Sequence, residues 1–119
     1  MKIRAVSAAV AVKDRKKAAK WYRDKLGLKI LEAGEEHWTV VGHPRKGMQI
    51  HLCEDPDGPS KADRETGILL TVDGPLPKAA AKLAKRGVEF AEPPEERPWG
   101  WASKIRDPDG NVLSLYPDE

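Results

Sequence analysis

The chain has 119 residues, 39% hydrophobic and 34% charged, with 21 basic and 19 acidic side chains and a net charge of +2. That length suits one domain. The interspersed charges read as a solvated surface rather than a basic face for nucleic acid, and no apolar run approaches the roughly 18 residues that span a membrane. Cys53 is the only cysteine, which excludes an intrachain disulfide and a thiolate zinc cluster.

Residues 3–12 alternate, with Val6, Ala8, Val10 and Val12 on one side and Ala5, Ser7, Ala9 and Ala11 on the other. Period-2 alternation predicts a strand with a large-residue face and a small-residue face. Before it, Met1-Lys2-Ile3-Arg4 shows no signal-type apolar segment, so a cytoplasmic location is expected. Asp14 is placed to cap a helix, because its carboxylate can accept free amide protons of the first turn. Ala18, Ala19, Tyr22 and Leu26 recur at helical spacing, which predicts an amphipathic helix over 15–25. The basic run from Lys13 to Lys20 then falls on an exposed helix face. Trp21 is expected to pack beside the sheet, and Gly27 stands where a helix end favours positive φ.

Three short strands are predicted at 28–33, 37–42 and 47–53, separated by Gly34-Glu35-Glu36 and by a turn around His43-Pro44. Residues 54–65 are polar and read as a linker or exposed loop. The pattern then restarts. An apolar strand is expected at 66–72 and a helix at 75–86, with prolines in or before its first turn. Gly87 ends that helix, and strands are predicted at 88–91, 99–106 and 111–116. At a fixed offset of 60, Val12 matches Val72, Ala19 matches Ala79, Lys25 matches Lys85 and Gly27 matches Gly87. Strand falls on strand and helix on helix, so the chain reads as a duplicated β-α-β-β-β unit. The first hairpin of the second copy is about three residues longer. The fold class is α+β, one domain with modules at about 3–58 and 64–119.

Val10-Ala11-Val12-Lys13-Asp14, Ala18-Ala19-Lys20-Trp21-Tyr22-Arg23-Asp24-Lys25-Leu26-Gly27-Leu28, Pro98-Trp99-Gly100 and Asp107-Pro108-Asp109-Gly110-Asn111 carry a resemblance over nearly the whole chain. The chain resembles the vicinal oxygen chelate superfamily, which includes lactoylglutathione lyases, extradiol dioxygenases, epimerases and bleomycin-resistance binding proteins. Asp55-Pro56-Asp57-Gly58 repeats part of the last motif and reads as a plain turn. The resemblance implies two βαβββ modules curving into a half-barrel around one cleft. It also implies that two chains pair as a homodimer to complete their sites.

Metal-dependent members of that superfamily place four ligands on the inner face. The resemblance puts those positions at Ser7, His51, Gly67 and Ser114. Divalent Zn, Ni, Mn or Fe needs imidazole or carboxylate donors, and neutral hydroxyls are poor ones. His51 is the only plausible single ligand, so the expectation is no metal and no other cofactor. Shifting a strand by one residue brings in Val6, Ala8, Thr66, Ile68, Leu113 or Leu115, none of them a donor. His37 and His43 read as polar residues in or beside turns. His51 itself reads either as a hydrogen-bonded structural histidine or as a ligand contact, with general acid/base chemistry open to it.

The chain carries four tryptophans. Trp99 and Trp101 are two apart, so a strand there would put both on one face, a platform for a planar or cationic ligand. Trp38 becomes the first-module counterpart of Trp101 and reads as core or interface. Tyr116 and Ser114 share a face of the last strand, Gln49 and His51 share one in the first module, and Glu92, Glu95 and Glu96 supply acidity only at a rim. The expected ligand-contacting set is Ser7, Gln49, His51, Trp99, Trp101, Ser114 and Tyr116. It points to a metal-independent protein that binds an aromatic or drug-like small molecule, with no nucleic acid or membrane partner. The alternatives are a metal-dependent lyase, epimerase or dioxygenase of the same superfamily, and a module whose groove takes a peptide.

Overall fold

A computed structural model describes residues 1–33, 38–43, 47–55, 57, 59 and 63–118, without the side chains of Ala33 and Trp38. The chain forms two units, Met1–Pro59 and Ser60–Glu119.

Unit one contains β1 (Ser7–Val12), α1 (Arg15–Leu26), β2 (Lys29–Ala33), β3 (Trp38–Gly42) and β4 (Gln49–Glu54) in one sheet of order β1-β4-β3-β2. β1 and β4 run parallel, as a strand-helix-strand crossover requires. Val10, Val12, Val41, Ile50 and Leu52 are buried on the face that α1 covers with Ala18, Ala19 and Tyr22. Each such side chain contributes about 1.5–3 kcal/mol by leaving water. Asp14 caps α1 by accepting from Lys16 N at 3.0 Å and Lys17 N at 3.1 Å. These backbone donors hold its carboxyl below the usual carboxylate range. Gly27 ends α1 at φ 74. Trp21 is half-buried and packs edge-on against Tyr22, with ring centroids 5.0 Å apart.

The first strand is shorter than its alternation predicts. Ser7 is opposite Gln49, the first residue of β4. Among the described residues none pairs with the segment before Ser7, and Ile3 and Val6 stay exposed.

Unit two contains β5 (Arg64–Asp73), α2 (Leu76–Lys85), β6 (Glu89–Arg97), β7 (Gly100–Arg106) and β8 (Asn111–Asp118), with sheet order β5-β8-β7-β6. Ile68, Ile105, Leu113 and Leu115 pack in its core with Leu76, Ala80 and Leu83 of α2. α2 has no side-chain cap; the Pro75 carbonyl accepts from Lys78 N and Ala79 N, both at 3.1 Å.

Strand pairing sets the repeat at residue level. Ala9 pairs with His51, and Leu69 pairs with Ser114. The first strands therefore correspond at an offset of 60 and the last strands at 63, which locates the three extra residues between them. β6 is longer than the predicted 88–91. It runs to Arg97 because a bulge between Phe90 and Glu92 takes up Ala91 and a second, between Glu92 and Glu95, takes up Pro93-Pro94. Among the described residues no helix is long and apolar enough to cross a membrane.

Candidate functional site

Each sheet has one face against its helix and one free of it. In unit one the helix-free face carries Ser7, Ala9 and Ala11 of β1 beside Gln49, His51 and Cys53 of β4, because the parallel pairing sets these residues side by side. His51 lies between Ala9 and Val40, and Ser7 is beside Gln49 instead. His51 is half-exposed, while Ser7, Gln49 and Cys53 are exposed. Ser7, Gln49 and His51 therefore share one face of the sheet.

In unit two, Ser114 is 8% exposed, with Leu69 of β5 on one side and Lys104 of β7 on the other. Lys104 Nζ is 2.6 Å from Glu65 Oε1. This contact and weaker neighbouring charges raise the lysine pKa, so the ammonium is retained. Tyr116 shares the face of Ser114, and its ring lies 5.8 Å from that of Trp99 at 45°.

The tryptophan platform does not form as expected. Pro98 and Trp99 make the turn between β6 and β7, and Gly100, the first residue of β7, takes φ 132. This conformation re-aims the chain. Trp99 packs on Tyr116, whereas Trp101 alternates in step with the buried Ser103 and Ile105 and lines a cavity against α2. The two indoles serve opposite faces of the sheet. Trp38 is also not the counterpart of Trp101. Thr39 pairs with Leu52 as Ser103 pairs with Leu115, so Trp38 corresponds to Ala102. The Trp38 side chain and His37 lie outside the described residues.

Sequence reasoning missed a row of acids. Simple alternation along 89–97 does not give Glu89, Glu92 and Glu95 a common face. The two bulges do: the three residues oppose Arg106, Lys104 and Ala102, which share the helix-free face with Ser114. Glu96 opposes Trp101 and faces the other way. Ser103 Oγ pins the first bulge by donating to the Glu92 carbonyl at 2.8 Å. Arg97 bridges Glu92 at 3.5 Å and Glu95 at 3.2 Å. The available signal was Pro93-Pro94 inside a strand, since proline lacks the ladder donor and is confined to edges and bulges.

The four positions that the resemblance assigns to metal ligands are poor in donors. Gly67 sits in a bulge of β5 at φ 74, where an L side chain is strained. The bulge is closed by Thr66 Oγ1, which donates to the Val112 carbonyl at 2.7 Å and accepts from Ile68 N at 3.1 Å. Ser7 and Ser114 offer only neutral hydroxyls. The donor set is one imidazole, and it does not fit a divalent ion. Among the described residues no group of three or more His, Cys, Asp or Glu side chains is placed to hold a metal.

The Asp107–Asn111 motif is structural. Asp107 is buried, and its Oδ1 accepts from Asp109 N at 2.8 Å and Asn111 N at 2.9 Å, while Oδ2 accepts from Asn111 Nδ2 at 2.8 Å. Arg64 Nη2 donates to Asn111 Oδ1 at 3.0 Å, tying the turn to β5. The motif therefore locks the turn that aims β8, which carries Ser114 and Tyr116.

Residues 4–115 match the family described as the Glyoxalase/Bleomycin resistance protein/Dioxygenase superfamily. A solved member of that superfamily from Sphaerobacter thermophilus is 28% identical, with a TM-score of 0.77 over 96% of this chain and 98% of that one. TnmS3, an antibiotic binding protein from Streptomyces sp. CB03234, is 28% identical, with a TM-score of 0.75 over 100% of this chain and 99% of that one. The Bacillus subtilis protein YetH is 27% identical over 114 residues, covering 92% of this chain and 93% of the relative.

Proposed function

This chain belongs to the glyoxalase/bleomycin resistance protein/dioxygenase superfamily, and within it we propose a metal-independent protein that binds an aromatic or drug-like small molecule. The donor set carries the reading: among Ser7, His51, Gly67 and Ser114 there is one good ligand for a metal, and Gly67 takes a backbone conformation that disfavours a replacement. The similarity to an antibiotic binding protein over essentially the whole chain supports the ligand class. The contact surfaces are the helix-free faces: Trp99, Ser114 and Tyr116 in unit two, and Ser7, Gln49 and His51 in unit one. Trp99 is 63% exposed although it packs on Tyr116, so one indole face is available to stack on a planar ligand. The protein works as a cytoplasmic homodimer and needs no cofactor.

Two measurements test this. Protein purified without chelator, analysed by elemental mass spectrometry, is expected to hold well under one metal per chain. Stoichiometric Zn, Ni, Mn or Fe that disappears in His51→Ala sinks the reading in favour of a metal-dependent enzyme. A panel of aromatic antibiotics titrated against tryptophan fluorescence is expected to yield a binder whose affinity falls about 10-fold in Trp99→Ala, the size of one lost aromatic contact. A panel with no binder, or a binder indifferent to Trp99→Ala, removes the proposed contact surface.

A further inference from the structure

The two helices present their sheets with equivalent buried stripes: Arg15, Ala19 and Tyr22 on α1, and Leu76, Ala80 and Leu83 on α2, an offset of 61. At the same offset, the next stripe toward solvent is Lys16, Lys20 and Arg23 on α1, as a water-facing stripe should be. On α2 that stripe is Pro77, Ala81 and Ala84, equally exposed but without a polar atom in any side chain. The duplicated unit thus serves as an internal reference, and this exposed stripe is where α2 exchanges three charged side chains for apolar ones.

The departure builds a cavity of about 510 Å³. One wall is the alanine stripe with Pro77 and Ala80. The other is Phe90, Pro93 and Pro94 of β6 with Trp101 of β7. The space exists because alanine stops at Cβ and because the bulged edge strand carries Pro93-Pro94 where an ordinary strand would continue its ladder. The volume lies in the range of small-molecule sites, about 300–1,000 Å³. All eight residues lining this open groove are apolar, so it offers a charged group no partner on the protein side. Two aromatic side chains, Phe90 and Trp101, favour a flat ligand.

We propose that this groove between α2 and β6 is a second binding site, taking a small, planar, uncharged aromatic molecule. It is separate from the helix-free faces and stands or falls independently of the ligand contacts on them.

The test uses the full chain and a neutral fluorescent probe, N-phenyl-1-naphthylamine, with naphthalene as competitor. Saturable binding at one site per chain, displaced by naphthalene, is expected. Ala81→Trp and Ala84→Phe each fill the groove from the exposed side of the helix. Either is expected to weaken the probe at least about 10-fold with an unchanged circular dichroism spectrum, whereas Trp99→Ala is expected to leave it unchanged. Non-saturable binding, binding indifferent to both filling variants, or binding lost in Trp99→Ala overturns the proposal. So does a dimer in sedimentation that Ala81→Glu converts to monomer, because the groove would then be covered by a second copy.

Discussion

Beneath α1, Thr39 of β3 and Leu52 of β4 form a buried cross-strand pair; beneath α2, Ser103 of β7 and Leu115 of β8 occupy the same place. The two hydroxyls nevertheless do different work. Thr39 Oγ1 accepts from the guanidinium of Arg15 at 3.5 Å, whereas Ser103 Oγ holds the Glu92 carbonyl and with it a bulge. Arg15 corresponds to Leu76, so unit one packs an arginine, paired to Glu54 at 3.8 Å, where unit two packs a leucine. Duplication has preserved strand order, register and the helix-side apolar pairs. The helix-free faces and the solvent stripes have diverged. Close packing constrains the first set tightly, since a change of even one methylene is felt there. The second set is constrained only by what it must touch.

The largest effect that checks this comparison is expected in the shared core. Leu52→Ala and Leu115→Ala remove fully buried side chains from equivalent positions and should each cost about 2–5 kcal/mol in denaturant unfolding. A cost below 1 kcal/mol at one position would show that the two cores are not equivalent. Next is Asp107→Ala, which strips one acceptor group from three donors at a buried turn. A loss of about 1–3 kcal/mol is expected, with β8 amides exchanging faster and unit-one amides unchanged. Smaller still is Arg15→Leu, which gives unit one the solution used by unit two. Glu54 is 38% exposed and keeps the Arg15 backbone N–H at 3.1 Å, so its charge is not stranded and the midpoint should shift little. Arg15→Ala loses the same contact to Thr39 and in addition leaves a hole, so it should cost more than Arg15→Leu. The reverse order would show that the guanidinium contacts outweigh packing.

The smallest effect is electrostatic. Arg106 Nε donates to Asp63 Oδ1 at 2.8 Å and holds that carboxyl below its ordinary value. A depressed folded pKa means the pair contributes above the unfolded carboxylate pKa, about 3.9. The contribution fades as pH falls through the folded value. A carbon-13 titration should find Asp63 titrating below the usual range and returning toward it in Arg106→Gln. No difference between the two proteins would remove the pair from the account.

The site was partly legible before the fold was known. The shared faces of Gln49 with His51 and of Ser114 with Tyr116 followed from alternation alone, because regular strands obey period 2, whereas the pairing of β1 with β4 brought Ser7 beside Gln49. Trp99 and Trp101 broke that rule because a turn and Gly100 at φ 132 intervene, and separation by two residues guarantees a common face only inside an unbroken strand. The acidic row of Glu89, Glu92 and Glu95 was hidden for the opposite reason: two bulges inserted residues that no pattern counts. The identity of Ala19 with Ala79 likewise suggested an ungapped helix. Burial pairs Ala19 with Ala80, one residue further on.

Composition, periodicity and the offset of 60 by themselves determined the two βαβββ units, the cap at Asp14 and the turn at Gly27; the metal positions came from the family resemblance. Each is a property of local chain chemistry or of residue type at a stated position. Only the tertiary structure decided which indole meets Tyr116, which acids share a face, and that α2 and β6 leave a cavity between them. These depend on pairing register and on the volume that alanine and proline leave unfilled, and both arise when strands and helix pack.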